Sequence, residues 1–140
     1  MPTIFTRIID GEIPARFVYS DSDCVAFLDV RPLARGHCLV VPRDEIDQWT
    51  DLSSRRAAHL TEVAHAIGNV QKTLLSPMRI GLMIAGFEVP HVHVHVVPMN
   101  SMANLDFSRA DTTPDPEDLD RLRAQIAEGL ATAGHQGAVR

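Results

Sequence analysis

The stretch PHVHVHVVP, residues 90–98, sets three of the chain's 7 histidines on alternate positions, His91, His93 and His95. On a β-strand, side chains two apart point to the same face. The three imidazoles therefore share one side, and Val92, Val94 and Val96 share the other. At a rise of about 3.3 Å per residue, neighbouring imidazoles lie roughly 6–7 Å apart. The spacing predicts valines packed under helices and histidines lining an open, concave surface. Three chemistries fit such a row. A solvated polar face is the plainest, although Lys, Thr or Glu are the commoner choices there. A metal site is the second, since His-x-His on a strand can put two nitrogens on one ion. That site would need a further ligand, for which His37 or Glu88 is available. The third needs no metal. Neutral imidazole is abundant near pH 7 and can attack phosphorus. A second imidazole can then protonate the leaving group, while others donate to the phosphoryl oxygens.

These residues must be positioned by a small set of elements. IFTRIIDGEIPA places Ile4, Phe5, Ile8 and Ile9 at helical spacing before Gly11, which predicts a short N-terminal helix. RFVYSDSDCVAFLDV reads as two strands about a polar Ser-Asp-Ser-Asp turn. HCLVVP reads as a buried strand closed by Pro42, with His37 at its start. In DLSSRRAAHLTEVAHAIGNVQKTLL, Leu60, Val63, Ile67, Val70 and Leu74 step by 3 and 4 and predict a long helix capped by Asp51 or Ser53. His59 and His65 lie off that stripe and read as surface residues. MRIGLMIAG and VPHVHVHVVP read as a strand pair joined tightly through Gly86, Phe87 and Glu88. Asp115 before Pro116 opens a last helix with a Leu119, Leu122, Ile126 and Leu130 stripe. ATAGHQGAVR, with His135, reads as a frayed tail. Hairpins mixed with helices define an α+β domain built on an antiparallel sheet of about five strands, with a long helix and flanking N- and C-terminal helices.

The 140 residues suit one domain, with a core over about 3–100 and a C-terminal helix and tail over about 101–140. A formal net charge of -5 argues against broad nucleic-acid or anionic-membrane binding. Cys24 and Cys38 form no Cys-x-x-Cys pair, so neither a disulfide scaffold nor a cysteine zinc motif is expected. No apolar run spans a bilayer and the N-terminus lacks a secretory apolar core, so a cytoplasmic location is expected.

The residues HVHVHVV, 91–97, match His-φ-His-φ-His-φ-φ, with φ apolar, at every position. With FLDV and RGHCLVVPR upstream, the sequence resembles the histidine triad (HIT) family over roughly residues 3–100, in its Hint branch of histidine triad nucleotide-binding proteins. The resemblance implies a HIT-like fold, a purine nucleotide ligand such as AMP or GMP, and cleavage at the α-phosphorus without a metal or other cofactor. His93 would attack phosphorus and carry the nucleotidyl group. His95 would assist the leaving group, and His91 and His37 would orient the nucleophile. Asp29 would hold the ribose hydroxyls, where a carboxylate can accept from both. Phe5, Ile8, Ile13, Phe27, Leu28, Val30 and Leu39 would surround the base, with Glu88 near the phosphate. The branch also implies a homodimer, for which the helix over about 53–75 is an available face.

Two positions depart from the family pattern. Many members carry Gln four residues before the triad and a hydroxyl residue next to it, where this chain has Phe87 and Glu88. An acid beside an anionic phosphate is unfavourable unless it points away or is protonated. The Asn- and Gly-rich loop before the triad is also shorter. The expected reaction is hydrolysis of a purine nucleoside phosphoramidate or adenylated compound. Cleavage of dinucleoside polyphosphates, a nucleotide-binding module with weak catalysis, and a metal-binding protein are the alternatives.

Overall fold

In the computed structural model, which describes residues 1–139, the elements run α1 (Ile4–Ile9), β1 (Phe17–Ser20), β2 (Cys24–Leu28), β3 (Cys38–Pro42), α2 (Ser54–Leu75), β4 (Arg79–Met83), β5 (Val94–Met99) and α3 (Pro116–Thr132). The five strands form one sheet in the order β1-β2-β3-β5-β4. Every neighbouring pair is antiparallel, as the hairpin pattern predicts. Ser53 caps α2 by accepting from the Arg56 N–H, and Asp115 caps α3 by accepting from the Glu117 N–H. No helix among the described residues is long and apolar enough to cross a membrane.

Alternation along the strands sorts the two faces. Cys24, Ala26 and Leu28 of β2, Cys38 and Val40 of β3, and Val92, Val94 and Val96 pack against Leu60, Val63 and Ile67 of α2 and Leu122, Ile126 and Leu130 of α3. The valines of the alternating stretch thus lie under the helices, as their spacing predicts. The apolar stripe of α2 is spent on its own sheet. The opposite face holds a second cluster of Val25, Phe27, Leu39 and Val41 with Phe5 and Ile8 of α1.

Three expectations are corrected. Strand β5 begins at Val94, so His91 and His93 lie in the approach to it, where the Val92 N–H is tied to the Ile46 carbonyl at 2.8 Å. The link from β4 to β5 is correspondingly longer than a tight turn and occupies residues 84–93. The tail is not frayed. The Ser20 N–H donates to the Gly137 carbonyl at 2.8 Å, and the Val139 N–H donates to the Val18 carbonyl at 3.0 Å. β1 is an edge strand with unpaired backbone groups, and the tail satisfies part of that edge. A side chain at Gly137 would meet the Tyr19 ring at 2.5 Å, which is why the pairing needs glycine there. Arg140 lies outside the described residues.

Candidate active site

The turn between β2 and β3 brings Asp29 and His37 together. The Asp29 N–H donates to the His37 carbonyl at 3.1 Å, closing the hairpin. Gly36 precedes His37 with a φ of +87°, a conformation that favours glycine. Below it, the buried Gln71 of α2 donates from Nε2 to the Gly36 carbonyl at 2.8 Å and to the Val96 carbonyl at 3.0 Å. One side chain therefore locks the His37 turn to the strand that carries His95.

Hydrogen bonds to backbone groups of fixed polarity determine where each imidazole keeps its proton. The Leu33 N–H donates to His37 Nδ1 at 3.0 Å, so the neutral His37 ring carries its hydrogen on Nε2. That Nε2–H points to His95 Nδ1 at 3.0 Å, which places the hydrogen of His95 on Nε2. His95 Nε2 is buried and has no hydrogen-bond partner among the described residues. His93 Nδ1 faces the His91 carbonyl at 2.8 Å and must donate to it, which leaves the lone pair of the neutral ring on Nε2. His91 Nε2 donates to the Pro42 carbonyl at 2.8 Å, and its Nδ1 accepts from the Thr3 hydroxyl at 2.7 Å. The result is an unprotonated nitrogen on His93 beside an unpaired N–H on His95, with ring centroids 5.0 Å apart.

Burial disfavours the charged form of three of these rings, His37, His95 and His91. The His37 imidazole is pushed down to about 3 by desolvation, reinforced by His95 and His93. Desolvation pushes His95 down to about 4, with His93 adding to the shift and Glu88 opposing it. His91 is also lowered, again mainly by burial. The Asp29 carboxyl is raised by desolvation, which outweighs the hydrogen bond it accepts from the Arg31 N–H.

The four predicted histidines come together, but not on an open surface. Their exposures are 1% for His37, 0% for His91 and 2% each for His93 and His95. The open row expected from alternation is covered by Phe5 of α1, which stacks edge-on against His91 at 5.7 Å and His93 at 4.9 Å. Asp29 Oδ2 lies 3.7 Å from His37 Nε2. Phe5, Ile8, Phe27 and Leu39 form one buried cluster on the histidine side, with Ile13 packed at its border. Leu28 is the exception. It shares the face of Cys24 and Ala26 and packs into the helix-side core, so its side chain does not join the base pocket expected for it. Val30 follows the strand end and is 62% exposed, so it lies outside the packed cluster as well. Glu88 turns toward the rings, with Oε1 3.8 Å from His93 Nε2 and 3.9 Å from His95 Nε2.

Four contributors escaped sequence reasoning. Gln71 left a faint signal, a polar residue four positions after Ile67 where the helix faces its sheet. Thr3 and the Leu33 N–H act through contacts that no local pattern encodes. Phe107 stacks edge-on against His95 at 5.1 Å from a 3-10 turn beyond the recognised region. Phe107 and Glu88, both exposed, flank the His93–His95 pair.

Two clusters of ligand-type side chains lie in the site, Asp29–His37–His95 and Glu88–His93–His95. Each would need His95 or His37 to offer a lone pair from Nε2. The Leu33 N–H, fixed against His37 Nδ1, keeps both of those nitrogens protonated. The donor set therefore suits a hydrogen-bonding ligand better than a cation. A third cluster, Asp21–Cys24–His59, lies elsewhere, and His59 Nε2 is already paired with Asp21 at 2.6 Å.

A buried row of imidazoles with fixed and unequal proton positions, on one face of a five-stranded antiparallel sheet, defines the class. The family model described as the HIT domain matches residues 10–102. An uncharacterized HIT-like protein of Methanocaldococcus jannaschii is 36% identical over 105 residues, which are 68% of this chain and 77% of that protein. An adenosine 5'-monophosphoramidase of Schizosaccharomyces pombe is 30% identical over 135 residues, 93% of this chain and 99% of that protein. A zinc-bound histidine triad family protein of Mycobacterium smegmatis superposes with a TM-score of 0.75 at 31% identity, covering 93% of this chain and 96% of the other. The chain belongs to the HIT family.

Proposed function

We propose that this protein is a nucleotide hydrolase that cleaves purine nucleoside phosphoramidates at the α-phosphorus through a covalent nucleotidyl-His93 intermediate. The observation that carries the reading is the bond from His93 Nδ1–H to the His91 carbonyl at 2.8 Å, which leaves Nε2 as a free nucleophile. His95 supports it with an Nε2–H that has no partner and can donate to a phosphoryl oxygen or the leaving atom. His37 and His91 act as positioning residues, the first fixing the His95 tautomer and the second supplying the carbonyl. Asp29 takes the ribose hydroxyls, and Phe5, Ile8, Ile13, Phe27 and Leu39 take the base. The similarity to an adenosine 5'-monophosphoramidase over nearly the whole chain supports the substrate class.

The protein's part in each step follows from these groups. His93 Nε2 displaces the leaving group from the α-phosphorus, and the positive charge of the resulting imidazolium is stabilised by the His91 carbonyl. Water then attacks phosphorus, returns the electron pair to His93 and releases the nucleotide. No metal or other cofactor has a role in this scheme. A homodimer and a cytoplasmic location belong to the same proposal. The exposed Met78 and Leu82 around the β4 edge support a contact surface there.

The test is a turnover screen across adenosine and guanosine phosphoramidates and dinucleoside polyphosphates, with and without chelator. We expect release of the nucleoside monophosphate from the phosphoramidates, unchanged by chelator. Saturable nucleotide binding with no turnover of any compound would replace the reading with a binding module. Activity lost to chelator and restored by zinc would replace it with a metal-dependent one.

A further inference from the structure

Glu88 turns its carboxylate toward both His93 and His95. Its Oε1 lies within 4 Å of His93 Nε2 and of His95 Nε2, on the partly exposed side of the site. A carboxylate there repels an incoming anion, and a phosphate group must nonetheless pass it. The cost is offset if the atom opposite the carboxylate carries positive charge. In a phosphoramidate that atom is the leaving nitrogen, which departs readily once protonated. In a phosphoanhydride it is an oxygen that departs as an anion.

Resting on the phosphoramidate reading above, we propose that Glu88 is a specificity-determining residue that selects substrates whose leaving group is an amine. The substrate nitrogen takes a proton from solvent and gives a P–NH2⁺–R group, whose N–H donates to Glu88 Oε1; the water that later attacks phosphorus returns a proton to solvent. His93 Nε2 forms its bond to phosphorus as the P–N bond breaks. The bonding pair goes to the nitrogen, which leaves as the neutral amine, and the positive charge passes to the His93 ring. His95 Nε2–H donates to a non-bridging phosphoryl oxygen throughout and keeps its proton. Glu88 acts only as an acceptor, so it stabilises an amine leaving group and disfavours a polyphosphate one. The substitution of an acid for the family's hydroxyl residue at this position thus becomes a selectivity device.

The test compares the native protein with Glu88→Gln on two probes, an adenosine 5'-N-alkylphosphoramidate and diadenosine triphosphate. For Glu88→Gln we expect kcat/KM on the phosphoramidate to fall about tenfold, as for loss of one partner of a close charge pair. On diadenosine triphosphate it should hold or rise. Where anhydride turnover is below detection, its inhibition constant against the phosphoramidate is read instead and should tighten. A loss of folding or of positioning would lower both probes together, so an unchanged ratio between them overturns the proposal. A native protein that favours the anhydride overturns it as well. If the native protein cleaves neither probe, the phosphoramidate reading falls too, which separates the two failures.

Discussion

Replacing His93 with alanine is expected to reduce turnover by about 10⁴-fold or more while nucleoside monophosphate affinity stays within about threefold. The asymmetry follows from what the ring does. In the proposed mechanism its Nε2 supplies the bond to phosphorus, and no neighbour can take its place. His95 has its proton on the nitrogen that faces the site, because the Leu33 N–H fixes His37 and His37 fixes His95. His91 has both nitrogens engaged, with the Pro42 carbonyl and with Thr3. In the same proposal binding rests on other groups, chiefly Asp29 and the apolar cluster about Phe5 and Phe27. Steady-state kinetics with calorimetric titration of AMP measures both halves. A variant that keeps the native rate would remove His93 from the chemistry.

Acid should unfold this protein unusually early. Burial pushes His37 and His95 down to about 3 and about 4 in the folded state, from an ordinary imidazole value of 6.5. Both shifts are downward, so the unfolded chain binds protons that the folded chain refuses. Stability contributed by the neutral rings is complete above pH 6.5 and declines as pH falls from there toward the folded values. Each such group removes up to about 1.4 kcal/mol per pH unit, approaching that slope only below pH 6.5, so two remove about 3 kcal/mol between pH 6.5 and pH 5. His91, lowered in the same direction, adds to this. For a domain with roughly 5–15 kcal/mol in hand, that is a large fraction. Asp21, held down to about 2, contributes little in this window. Urea unfolding at pH 7, 6 and 5 should show the midpoint dropping at each step. A midpoint that holds between pH 6.5 and pH 5 would mean that the rings are solvated or already charged.

Much of this arrangement was legible in the residues. The period of two at 91–96 assigned valines to the helix side and histidines to the other, because alternation is a property of the extended backbone. The 3.6-residue stripes of α2 and α3 and their Ser53 and Asp115 caps were equally local. The grouping of His37 with the triad came from the motif resemblance, whereas other features set by distant contacts were not legible. Burial of the imidazoles depends on Phe5, which lies more than eighty positions away in the chain. Leu28 resembled its neighbour Phe27 in composition, yet one step along a strand put it on the opposite face. The tail was read as loose because its pairing with the β1 edge involves Val18 and Ser20, far from it in sequence. Proton positions were illegible for the same reason, since they depend on the Leu33 N–H and the Thr3 hydroxyl. Glu88 was recognised as a departure, but its direction toward His93 and His95 required the path of residues 84–93.

The central claim is that His93 carries the nucleotide. A rapid-quench single turnover with adenosine phosphoramidate under alkaline conditions, which preserve a phosphorus–imidazole bond, followed by peptide mass mapping, tests it most directly. The account predicts a transient nucleotidyl group on His93. A nucleotidyl group on any other residue, or turnover without a protein-bound nucleotide, would contradict it.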